Sequence, residues 1–149
     1  MAQSLSNVHV HLIFSTKNRH PWLATEWRAD VWRYLSGAFD GQKCHALKIG
    51  GVADHVHALF DLHRTVALAD VVGQVKAESS KWIKQDKGVA AFAWQAGYGA
   101  FAVSASNLDQ VIDYIARQEE HHAKTTFQDE FRLFLERHRV AFDEQYVWD

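Results

Sequence analysis

Among 149 residues there is one cysteine and one proline. The lone Cys44 excludes an intramolecular disulfide, and its apolar-alternating surroundings read as a buried strand. A reducing, cytoplasmic setting is therefore expected. No run of about 18 apolar residues occurs, so no membrane-spanning helix is expected. The short polar stretch 1–7 does not read as a signal peptide. Internal repeats, low-complexity tracts and linkers are lacking too, and the length suits a single domain over 1–149. Charge of one sign is also lacking: the formal net charge is −2. That argues against a protein that coats duplex nucleic acid through a broad basic surface. The charge is uneven, with 12 Lys+Arg against 10 Asp+Glu in residues 1–118 and 4 against 8 in residues 119–149. A polyanionic partner would meet the first part. What the chain does have is apolar mass, 48% hydrophobic and 13% aromatic, which excludes disorder.

Its patterning alternates between two periods. Residues 8–15 are β-branched and alternating, a first strand. Residues 23–39 repeat Leu23, Trp27, Val31 and Leu35 at helical spacing, with Thr25 as N-cap. Residues 43–49 and 54–62 read as two strands joined through Gly50-Gly51. Residues 66–84 form a second amphipathic helix with Val71, Val72, Val75 and Trp82 inward and Lys76, Ser79, Ser80 and Lys81 outward. The aromatic, Gly-punctuated stretch 92–103 reads as one bent strand or a strand pair. A third helix starts near Ser106, whose spacing to Asp109 suggests a capping box, and runs to about His121. A fourth covers 127–139. The order β-α-β-β-α-β is that of an α+β, ferredoxin-like split βαβ antiparallel sheet, with C-terminal helices appended.

The chemistry centres on His55-Val56-His57. Histidines at i and i+2 of a strand share a face roughly 6.6 Å apart, and such a pair can bind one divalent cation. Val56, Ala58 and Phe60 would face the core. On the third helix, Tyr114 and Gln118 sit at i and i+4, projecting from one face about 5–6 Å apart. Over the histidines, Gln118 would add an oxygen ligand and Tyr114 a phenol, which a cation that polarises a phosphodiester would make a feasible nucleophile. Glu119 or Glu120 is an alternative to Gln118, and Tyr98 is the rival nucleophile. His9 and His11 form a second H-x-H pair that reads as structural or as lying near DNA. His121 and His122 suit metal, phosphate or solvent.

Five stretches carry a family resemblance. They are Ile13 to Arg19, Gly50 to His57, Lys76 to Trp82, Trp94 to Ser104 and Tyr114 to His122. In order, they resemble the single-tyrosine HUH transposases of small insertion sequences that move as single-stranded DNA, or domesticated relatives acting on repeated extragenic palindromes. The resemblance implies that His55, His57 and Gln118 bind Mg²⁺ or Mn²⁺. It implies that Tyr114 attacks single-stranded DNA, leaving a 5′-phosphotyrosine and a free 3′-OH able to rejoin strands. It also implies hairpin DNA ends as substrate and a homodimer whose sites are completed in trans. For DNA contacts the residue types point to Lys17, Arg19, Lys76, Ser79, Ser80, Lys81 and Arg117. A catalytically silent nucleic-acid-binding module and a replication or relaxase-type nicking enzyme are the competing functions.

Overall fold

The computed structural model describes residues 2–149, so Met1 of the expected 1–149 domain lies outside them. Strand β1 (His9–Ser15) leads through a short 3-10 turn to helix α1 (Thr25–Gly41). Strands β2 (His45–Val52) and β3 (His55–Asp61), helix α2 (Leu68–Asp86) and strand β4 (Gly99–Val103) follow. Helices α3 (Leu108–Ala116), α4 (Gln118–His122) and α5 (Phe127–Arg137) close the chain. All strand pairs are antiparallel, in the spatial order β2-β3-β1-β4. The fold is the ferredoxin-like α+β sheet that the element order implies.

Strand alternation sorts the side chains to two sides. Val10, Leu12 and Phe14 of β1 and Val56, Ala58 and Phe60 of β3 face α1 and α2. There they pack with Val31, Leu35, Phe39, Val71, Val72, Val75 and Ile83 in the main core. Each such fully buried side chain contributes about 1.5–3 kcal/mol. The opposite face is covered as well: Ile13 and Phe101 pack against Phe127, Phe131 and Leu135 of α5. The sheet is thus a central layer, and β1 and β3 are buried on both faces.

Several local expectations change. Gly50 and Gly51 are not the turn; they lie inside β2, and Ala53-Asp54 makes the two-residue connection, with Val52 paired to His55. Thr25 begins α1 but does not cap it; Ala24 holds the N-cap position. The Ser106–Asp109 capping box does not form. Ala105–Asn107 is a 3-10 turn, and Ser106 contacts the Ser104 hydroxyl instead. Of 92–103, only Gly99–Val103 is a strand, with a single bridge between Trp94 and Thr16 upstream of it. Among the described residues, no helix is long and apolar enough to cross a membrane.

Candidate metal and nucleophile site

His55 and His57 project from β3 onto the face away from the main core. Both are fully buried, with ring centroids 5.2 Å apart. Their outer nitrogens are held from behind. Asp54 Oδ1 lies 2.7 Å from His55 Nδ1, and His11 Nε2 from β1 lies 2.8 Å from His57 Nδ1. Partners of this kind fix a ligand's tautomer and ring orientation and leave Nε2 to face the site.

Helix α3 reaches this face because β2 carries no side chain where it crosses. Gly50 pairs with His57 in register. A Cβ on Gly50 would stand 2.8 Å from the Ile115 carbonyl oxygen and 2.9 Å from Ile115 Cγ2. Gly51, with φ +153°, would place a Cβ 2.2 Å from the carbonyl oxygen of His55, so glycine is required for the approach of the hairpin strands. Helix α3 then ends at Arg117 (φ −101°, ψ 20°), and Gln118 opens α4. Tyr114 and Gln118 therefore do not share one continuous helix, yet both side chains meet the histidines.

Their meeting point is Glu130 of α5, which is 2% exposed. Glu130 Oε1 lies 2.9 Å from His57 Nε2, 3.5 Å from His55 Nε2 and 3.1 Å from His122 Nε2. Its Oε2 accepts hydrogen bonds from the Tyr114 hydroxyl and from Gln118 Nε2, the latter at 3.2 Å. Gln118 Oε1 faces His55 Nε2 at 3.0 Å. The Tyr114 ring centroid is 5.8 Å from that of His57 and 5.3 Å from that of His121. A groove of about 780 Å³ opens onto Tyr114, lined in part by His11, Gln110, Glu130 and Arg137.

The electrostatics follow from this crowding. Burial would raise the Glu130 carboxyl, but the surrounding imidazoles of His122, His55 and His57 outweigh burial and hold it well below the carboxylate range. Burial pulls His55 down, yet hydrogen bonds to Asp54 and Glu130 and their charges raise it to about 9. Burial dominates at His57 and lowers it to about 4. His11 is also pushed well below its usual value, by burial and by His57. Burial and then the Glu130 charge push the Tyr114 phenol upward.

A family model described as IS200-like transposase matches residues 4–118. The chain belongs to the IS200-like transposase family. It is 25% identical over 126 residues to the transposase for insertion sequence element IS200 of Salmonella typhimurium, covering 80% of this chain and 82% of that one. The same figures hold for the Salmonella typhi protein. Two solved structures share the fold. A candidate transposase of Deinococcus radiodurans R1 superposes with TM-score 0.60 at 23% identity, covering 79% of this chain and 98% of that one. A REP-associated tyrosine transposase bound to a REP hairpin superposes with TM-score 0.61 at 13% identity, covering 84% and 76%.

In this IS200-like transposase, the residues picked for DNA separate. Lys17, Lys81 and Arg117 are exposed; Arg117 pairs with Asp113 at 3.2 Å beside the Tyr114 groove. Arg19 lies over the Trp148 ring at 5.9 Å. Ser80 lines a separate groove with Lys76 and Tyr98, on the α2 side of the sheet. Two picks are corrected. Ser79 is fully buried: it donates to the Val75 carbonyl and accepts from Trp94 Nε1, so it offers nothing to phosphate. Lys76 is half-buried and donates to the carbonyls of Gln95 and Gly97 at 2.7 and 2.8 Å, which fastens the loop before β4; burial lowers its ammonium to about 8. Tyr98, the rival nucleophile, lies in that α2-side groove, on the sheet face opposite His55 and His57.

Sequence reasoning missed Glu130. Its signal was an acid in the apolar stripe of α5, where Phe127, Phe131 and Leu135 face inward; buried unpaired carboxylates are rare. His11, weighed as structural or as near DNA, belongs to the site through its bond to His57. Within one chain, Gly50 admits α3 against the sheet and Tyr114 lies beside the histidines of that chain.

Proposed function

We propose that this IS200-like transposase cleaves and rejoins single-stranded DNA with Tyr114 as nucleophile, at a divalent cation held by His55, His57 and Gln118. The observation that carries the proposal is the convergence of Tyr114 Oη, Gln118 and both histidine Nε2 atoms on the two oxygens of one buried carboxylate. The donor set fits a cation. His55 and His57 have their outer nitrogens held by Asp54 and His11, so both Nε2 atoms turn toward the oxygens of Gln118 and Glu130.

When bound, Mg²⁺ or Mn²⁺ would polarise the scissile phosphate and offset the charge of Glu130. The phenol needs such help, since burial beside a carboxylate keeps it protonated. In the cleavage step the Tyr114 oxygen bonds to phosphorus and the bond from phosphorus to the 3′ oxygen breaks. The hydrogen bond that Glu130 Oε2 accepts orients the Tyr114 oxygen, and the phenol proton passes to solvent as the new bond forms. The released 3′ oxygen takes up a proton as 3′-OH. Reversal by the same or another 3′-OH joins strands without an external energy source. Hairpin-forming DNA is the proposed substrate, supported by the hairpin bound to a structural relative. The site is proposed to act within one chain.

A labelled hairpin oligonucleotide incubated with protein and Mg²⁺ or Mn²⁺ should give a denaturation-resistant adduct. Tyr114→Phe should abolish it and Tyr98→Phe should leave it. The opposite pattern, or no adduct from the unaltered protein, would overturn the assignment.

A further inference from the structure

His122 and Glu130 lie beyond the segment shared with the family model, which ends at residue 118. Both nevertheless face the histidine pair. His122 Nδ1 lies 2.6 Å from the Thr125 carbonyl oxygen, to which only an N–H can donate. The Nε2 atom of the same ring is buried and stands 3.1 Å from Glu130 Oε1. One ligand atom from each of His55, His57, His122 and Glu130 lies within 4.8 Å of all the others. The Nε2 atoms stand 2.9, 3.1 and 3.5 Å from Oε1. These separations bracket the edge of a tetrahedron of ligands around a first-row ion, about 3.3 Å for bonds near 2.0 Å.

We propose that His122 and Glu130 complete, with His55 and His57, a site of three imidazoles and one carboxylate that selects a first-row transition ion of the Zn²⁺ type over Mg²⁺. Imidazole nitrogen is the preferred donor of such ions, whereas Mg²⁺ prefers oxygen and retains water. The two Glu130 oxygens then divide the work: Oε1 faces the ion and Oε2 holds Tyr114. The inference rests on the proposed histidine pair and assigns the remaining two positions around a Zn²⁺-type ion to His122 and Glu130 in place of Gln118.

The test uses the full chain stripped with chelator, with folding checked by circular dichroism. Zn²⁺ is titrated in competition with a chromophoric chelator, and Co²⁺ serves as a spectroscopic probe. One equivalent of Zn²⁺ should bind to the unaltered protein. His122→Gln and Glu130→Gln should each weaken binding by at least about tenfold. Mg²⁺ affinity should be unmoved by His122→Gln. Co²⁺ should give the intense visible bands of a four- or five-coordinate ion, and these should weaken in His122→Gln even if Glu130→Gln fails to fold. Equal Zn²⁺ affinity and equal Co²⁺ spectra in His122→Gln and unaltered protein would overturn the proposal. DNA adduct formed with Mg²⁺ equally by both would at the same time leave the cleavage reading standing.

Discussion

At the scale of single residues, two hydroxyl-bearing side chains differ in what they hold. Tyr114 is poised on a carboxylate at the rim of a groove, whereas Ser79 links α2 to Trp94. Ser79→Ala should therefore cost about 1–3 kcal/mol, by leaving the Trp94 N–H unpaired in the core. It should leave DNA affinity unchanged. Lys81→Ala and Lys17→Ala should do the reverse: stability by thermal melting stays put, while a salt titration of oligonucleotide binding shows a slope reduced by about 1 for any residue that contacts phosphate. The histidines make the metal-free protein pH-sensitive in two directions. His57 is lowered to about 4, so between roughly 6.5 and 4 the unfolded chain binds the proton that the folded chain refuses, and stability falls as pH falls. His55 is raised to about 9, so its contribution is complete below about 6.5 and is lost as pH rises toward 9. Melting temperature in chelator should peak near pH 6.5. Lys76, lowered to about 8, acts with the opposite sign only above that value. A monotonic rise in melting temperature from pH 4 to 8 would contradict these assignments.

At the scale of elements, the decisive fit is helix α3 on strand β2. Gly50→Val should force the Ile115 turn outward, at a cost of about 1–3 kcal/mol. It should reduce adduct formation far more than Gly37→Ala, a substitution on α1 with open space at its Cβ; equal effects on the adduct would show that the close approach is immaterial. This fit also explains what the sequence could and could not reveal. The strand pattern of 54–62, with its histidines on one face and Val56, Ala58 and Phe60 on the other, is local alternation, and it was legible. Gly50-Gly51 looked like a turn because glycine pairs usually punctuate chains. Their reason is instead the backbone of Ile115, 65 residues away, and the carbonyl of His55. Tyr114 and Gln118 were legible as partners, but the break at Arg117 was not, since no proline or glycine marks it. Glu130 was the least legible: its partners His57 and Tyr114 are 73 and 16 residues away, and only its inward position on α5 signalled them.

At the scale of the whole molecule, the sheet is covered on both faces. The α1–α2 side supplies the main core, and the α3–α5 side carries the proposed site and a smaller core. The second layer is formed by the same chain that supplies the histidines. One chain therefore brings the proposed ligands and the proposed nucleophile together, and on this reading they work as a unit in cis. Mixing two variants tests it most directly. Tyr114→Phe lacks the proposed nucleophile and His57→Ala a proposed ligand, so each alone should form no adduct with a labelled hairpin oligonucleotide. In an equimolar mixture, preincubated so that subunits can exchange, a site built within one chain predicts that the adduct stays absent. Recovery of adduct in the mixture would mean that the tyrosine of one chain serves the histidines of another, and the cis site would be wrong.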